Sequence, residues 1–68
     1  MEMKVTYEIE NGKMVKVESW DDGDVSKYDE NGNEIHYKNT DGFEEWYEYD
    51  SNGKIIHSWN NRGVKEWY

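Results

Sequence analysis

Two histidines, His36 and His57, sit 21 residues apart at matching places in a repeated segment. A metal centre would be the chemistry to expect from a repeated imidazole, but structural zinc needs three or four N or S ligands at close spacing. The chain has only these two histidines and no cysteine, so the repeat accounts for the pair and no metal ligand set is expected. Carboxylates are the next candidates. Glu44, Glu45 and Glu48 lie on one segment, yet on a strand Glu44 and Glu48 share a face while Glu45 opposes them, so adjacency in number does not make an acid–base pair. A small sheet without a deep pocket neither excludes water nor pins a substrate. No catalytic residue is expected, and the chain does not read as an enzyme. Asp21-Asp22-Gly23-Asp24, Asp29-Glu30-Asn31-Gly32 and Asp50-Ser51-Asn52-Gly53 are rich in oxygen ligands, as calcium loops are, but none follows the EF-hand order. Asp and Asn are favoured at turns for their own local hydrogen bonds. No cofactor is expected.

The elements that hold these residues are strands. Met3, Val5, Tyr7 and Ile9 alternate with Lys4, Thr6, Glu8 and Glu10, the period of a half-buried strand. Asn11-Gly12 turns the chain into Lys13–Trp20, where Val15 and Val17 share one face and Met14 and Trp20 the other. Asp21 to Asp24 reverses it again. Further strands follow at about Val25–Tyr28, Asn33–Lys38, Phe43–Tyr49, Ile55–Trp59 and Val64–Tyr68. On the fifth, Phe43, Tyr47 and Tyr49 oppose Trp46; on the sixth, Ile55, His57 and Trp59 are expected on one side and Ile56 on the other. Gly12, Gly23, Gly32, Gly42, Gly53 and Gly63 recur every nine to eleven residues, each interval holding one strand and one turn. Connections this short cannot carry parallel crossovers. The expected fold is therefore all-β: one domain over 1–68, an antiparallel up-and-down meander of about seven short strands, either a single twisted sheet or a curled or dimeric half-sandwich.

Composition sets the outer limits. With 68 residues the chain is near the size at which one core is only marginally sufficient. Its formal charge of −8, from 16 acidic and 8 basic residues, argues against direct nucleic-acid binding, which runs on Lys and Arg, and no nucleic-acid partner is expected. No apolar run reaches membrane-spanning length and the opening residues lack a signal pattern, so no membrane partner and a cytoplasmic location are expected. Aromatics make up 16% of the chain while Leu and Ala are absent, a composition that favours strands and differs from disorder.

The segment Tyr28-Asp29-Glu30-Asn31-Gly32-Asn33-Glu34-Ile35-His36 returns as Tyr49-Asp50-Ser51-Asn52-Gly53-Lys54-Ile55-Ile56-His57, and Gly42-Phe43-Glu44-Glu45-Trp46-Tyr47 returns as Gly63-Val64-Lys65-Glu66-Trp67-Tyr68. The Asn-Gly pairs are expected to turn with positive φ, the strongest short hairpin signal. The last strand ends where its earlier copy runs on to the Tyr-Asp turn, which leaves an aromatic edge for another chain. The pattern Tyr-x-Tyr-Asp-x-x-Gly-x-Ile, from Tyr47 to Ile55, resembles the YD repeat of Rhs and teneurin type, and the likeness extends over about Tyr28 to Tyr68. It implies hairpin units of about twenty residues, which in that family wind into shells around other polypeptide. Trp46-Tyr47, Gly53 and Trp59 also resemble, more weakly, choline- and glucan-binding repeats, with Ser58 where those repeats carry Gly.

A flat sheet leaves apolar side chains wet, so self-association as a homodimer or partner docking is expected. Trp20, Trp46, Ile56 and Trp67 are expected on the face opposite the main apolar stripe. The reading reached from the residues is a small acidic protein-interaction module. It docks on a basic, nucleic-acid-binding protein surface as a phage-type inhibitor would, with Glu44, Trp46, Glu48, Trp20, Asp22, Trp67 and Tyr68 as partner-binding residues. The alternatives are a sugar- or choline-binding aromatic module and a structural repeat fragment.

Overall fold

Seven strands are laid down in sequence order, each antiparallel to the last: β1 (Met3–Glu10), β2 (Lys13–Trp20), β3 (Val25–Tyr28), β4 (Glu34–Lys38), β5 (Glu44–Tyr49), β6 (Ile55–Asn60) and β7 (Lys65–Trp67). The computed structural model describes residues 2–68, with Met1 outside them. The meander is open, and each strand pairs only with its neighbours in sequence. Its extents are 34 × 28 × 19 Å, so the sheet is twisted rather than flat but does not fold over to form a second layer.

Two kinds of turn build it. Between β1 and β2, Asn11 (φ 53°) and Gly12 (φ 78°) form a two-residue loop closed by Glu10 and Lys13, a mirror-image turn that matches strand twist. The Asn-Gly pairs of the repeats behave differently, and here the expectation is corrected. Asn11 is the one non-glycine residue with positive φ among the described residues, so Asn31 and Asn52 keep ordinary backbone and only the glycine turns left-handed. The turn is instead made by its first residue. Asp50 Oδ1 accepts from the N–H groups of Asn52 and Lys54, both at 2.9 Å, while the Gly53 N–H donates to the Asp50 carbonyl at 3.0 Å. Asp29, Asn39 and Asn60 repeat this arrangement. An Asx side chain capping its own turn explains why Asp or Asn stands three residues before Gly in every copy. These bonds consume the residue after each glycine, so β4, β5 and β7 begin one residue later than sequence spacing suggests.

Each repeat also carries an irregularity at its Tyr-Asp end. Tyr28 pairs with Glu34, skipping Ile35, and Tyr49 pairs with Ile55, skipping Ile56. The extra residue breaks the period of two. Ile55 is therefore registered against Tyr49, away from His57 and Trp59, which corrects its expected grouping with them.

Register assigns the remaining side chains to two faces, since directly paired residues share one. The first face carries Met3, Val5, Tyr7, Ile9, Met14, Trp20, Ser26, Tyr28, Tyr37, Glu45, Tyr47, Ser58, Glu66 and, by alternation, Tyr68. The second carries Val15, Val17, Lys27, His36, Glu44, Trp46, Glu48, His57, Trp59 and Trp67. The expected grouping of Trp20 with Trp46 and Trp67 is corrected: Trp20 pairs with Met3 on the first face.

The buried apolar centre is small: Val15 and Val17, 4% and 6% exposed. One long side chain adds to the cover that paired neighbours give them. Lys27 sits directly across from Val17, yet its ammonium lies 3.4 Å from Glu8 and 3.1 Å from Glu10 on β1. To reach them its methylene stem must cross β2 over the valines, burying apolar surface while the charged end stays at the margin.

Candidate interaction face

On the second face, β4 to β7 present five stacked rings. His36 stacks on Trp46 with ring centres at 5.2 Å, Trp46 on Trp59 at 6.1 Å, Trp59 on His57 at 4.7 Å, and His57 on Trp67 at 3.7 Å with planes only 5° apart. Alternation produces this row, because Trp46 and Trp59 are directly paired, as are His57 and Trp67. Carboxylates fix the histidines: the His36 Nε2–H donates to Glu44 at 3.1 Å and the His57 Nδ1–H to Glu48 at 3.0 Å. The His57 Nε2 atom, enclosed between indoles, has no partner. Each histidine thus has a different carboxylate, and no group of three His, Asp or Glu side chains among the described residues converges to hold a metal ion.

The first face is built from tyrosine and carboxylate. The Tyr47 hydroxyl donates to Glu45, Tyr68 to Glu66 at 2.7 Å, and Tyr49 to the Glu34 carbonyl across β4. Ser26 and Ser58 are buried here because small side chains lie beneath larger neighbours: Tyr37 is directly across from Ser26, and Tyr47 from Ser58. The acidic field is visible in the phenols. Burial, then the hydrogen bond to Glu45, raises Tyr47 strongly above the usual tyrosine value. Burial followed by Glu18 and Glu34 raises Tyr28, and burial followed by Glu34 and Asp29 raises Tyr49. Tyr37 is raised by partial burial and then by Asp24, Asp22, Glu34 and Asp41. Those three aspartates come from two neighbouring turns, β2–β3 and β4–β5, which approach so closely that a Cβ on Gly23 would lie 2.5 Å from Thr40 Cγ2. They form an acidic rim at one end of this face.

The residues expected to bind a partner therefore divide. Glu44, Trp46, Glu48 and Trp67 come together on the ring-stack face, with both glutamates engaged by histidine and Trp67 75% exposed. Tyr68 belongs to the tyrosine face, Asp22 to its rim, and Trp20 to the same face beside that rim, its N–H donating to the Asp24 carbonyl at 2.8 Å. Tyr37, Glu45, Tyr47 and Glu66, which lie on the tyrosine face, were not among the expected partner-binding residues. Parity along β5 and β7 held the signal, but the Trp residues drew attention to the opposite face. An open polar trough is lined by turn residues including Asn11, Asp29, Asn31 and Asp50.

Compared with known proteins, the chain matches no family model, no curated protein and no solved structure.

Proposed function

We propose that this protein is a small acidic protein-interaction module that docks its tyrosine face and acidic rim onto a basic protein surface of the nucleic-acid-binding kind. The observation that carries the reading is the placement of four tyrosines, Tyr28, Tyr37, Tyr47 and Tyr49, on one face, with Glu45 directly across from Tyr37 and accepting the Tyr47 hydroxyl. Tyrosine is a stiff, amphipathic anchor, and carboxylates between the anchors supply encounter rate and selectivity toward cationic groups. The ring-stack face supports this less well. There Glu44 and Glu48 are offset by Lys38 and Lys65, whose register places them on the same side.

The sugar- or choline-binding alternative draws less support from the same geometry. Trp46 and Trp59 each have a neighbouring ring against both faces, which leaves Trp67 as the main platform. The test is capture of partners from a lysate by the native chain and by an Asp22→Asn/Asp24→Asn/Asp41→Asn/Glu45→Gln/Glu66→Gln variant of unchanged circular dichroism. Captured protein is then assayed for displacement of its bound DNA or RNA. The expected result is salt-sensitive capture and displacement by the native chain alone. Equal capture by the amide variant removes the proposal.

A further inference from the structure

The sheet has two open edges of very different length. β7 offers three residues, whereas β1 offers eight, every one from Met3 to Ile9 exposed. An edge this long and unprotected is a template for another strand. Its exposed side chains on the tyrosine face, Met3, Val5, Tyr7 and Ile9, continue into Met14 and Trp20, which pair with Ile9 and Met3.

The backbone direction is fixed by neighbouring bonds. The Asp21 N–H donates to the Glu2 carbonyl at 3.1 Å, and Glu10 and Lys13 close the two-residue hairpin. Even-numbered residues therefore aim their N–H and C=O groups at β2, and those of Met3, Val5, Tyr7 and Ile9 point to the open edge.

We infer that the occupant of this edge is β1 of a second copy, antiparallel and centred on Thr6. A two-fold axis there sets Val5 against Tyr7 of the second copy and Met3 against its Ile9. These are the residues whose backbone groups are free, and two residues related in this way exchange two hydrogen bonds, about eight across the whole junction. Thr6 meets Thr6 as a pair without hydrogen bonds. Lys4 meets Glu8, twice by symmetry, and the strand is thus complementary to itself in charge as well as in backbone. Lys4 has no ion pair within the chain among the described residues, and Glu8 holds only the longer of the two contacts to Lys27. Like charges face each other only at the strand ends, Glu2 against Glu10, and Glu10 is already paired with Lys27 at 3.1 Å.

Shifting the axis to Val5 matches Lys4 with Thr6 and loses the ion pairs. Shifting it to Tyr7 leaves Glu8 opposite Thr6 and brings Lys4 to Glu10, whose charge Lys27 has taken up. The central register is the one that gives unpaired Lys4 a carboxylate partner, Glu8, which otherwise holds only the longer contact to Lys27. Because directly opposed residues share a face, the tyrosine faces of the two copies become continuous, with the apolar stripes side by side at the junction. The resulting assembly is a fourteen-strand sheet, two copies of the seven strands of one chain.

The absence of native cysteine makes the register directly testable. In a pair without hydrogen bonds the Cα atoms are about 4.5 Å apart, inside the span a disulfide bridges. Under mild oxidation Thr6→Cys is expected to form a covalent dimer at concentrations where Lys4→Cys and the turn variant Ser51→Cys stay monomeric. Lys4→Glu should weaken the non-covalent dimer on the order of tenfold in sedimentation equilibrium, and Lys4→Glu with Glu8→Lys should restore it to within about threefold. Circular dichroism checks that each variant is folded. The inference is overturned by a native chain that remains monomeric to millimolar concentration, by Thr6→Cys crosslinking no faster than Ser51→Cys, or by a charge swap that restores nothing. Partner capture by the tyrosine face is a separate readout, so either result stands without the other.

Discussion

Removing Lys27 separates what its ammonium and its methylene stem each contribute above the buried valines. Lys27→Met keeps a stem of similar length and deletes the ammonium, whereas Lys27→Ala deletes both. The two ion pairs at 3.1 and 3.4 Å involve carboxylates that are 43% and 48% exposed. Each is therefore worth about 0.2–1 kcal/mol, and Lys27→Met should cost about 1 kcal/mol. The stem adds a larger amount. Three methylenes covering Val15 and Val17, at about 0.8 kcal/mol each, bring the cost of Lys27→Ala to about 3 kcal/mol. For a chain of this size about 1 kcal/mol moves Tm by about 4–8 °C, so the two variants should separate clearly. Urea and thermal unfolding followed by circular dichroism supply the measurement, with Glu8→Gln/Glu10→Gln expected to match Lys27→Met. Equal losses for Met and Ala would refute the stem's contribution and leave only electrostatics. A loss below about 0.5 kcal/mol for Ala would refute both parts.

The same cluster sets a pH dependence. The hydrogen bond from Lys27 lowers Glu10 below its ordinary value of 4.5, so its contribution is complete above that value and disappears as pH falls through the lower folded value; acid titration of Lys27→Met should lack this component. Tyr28, Tyr37, Tyr47 and Tyr49 are raised above 10.0, so their neutral forms support the fold fully below about pH 10 and that support is lost as pH climbs toward the folded values. Tyrosinate absorbance should therefore rise together with unfolding, and Glu45→Gln should move the Tyr47 component to lower pH. Gly23→Ala should cost more than Gly32→Ala in urea unfolding, because both strain a positive φ but only the first meets Thr40 Cγ2 at 2.5 Å; Thr40→Ser should recover the difference. Asp50→Ala, which removes acceptors for two N–H groups, should cost about 1–2 kcal/mol, with Asp50→Asn close to native.

Several features were legible in the amino-acid sequence. The spacing of the glycines gave the number, order and antiparallel sense of the strands, since loops this short admit no other connection. Alternation gave the split of Glu44 and Glu48 from Glu45, and of Trp46 from Tyr47, because the pleat has a fixed period of two. Two departures from that period were hidden. The skipped residues Ile35 and Ile56 leave no signature in composition, so Ile55 was grouped with the wrong neighbours.

What the sequence determined by itself is local: where the chain reverses, and which side chains alternate between those reversals. Which faces matter was decided across strands. Trp20 joins Met3 rather than Trp46, the three Trp residues Trp46, Trp59 and Trp67 spend ring surface on two histidines, and four tyrosines share one acidic field. The reason is physical. Turn geometry is settled by hydrogen bonds spanning about four residues, while burial and electrostatic fields depend on neighbours one strand away, ten or more residues distant along the chain, whose register only the assembled sheet fixes.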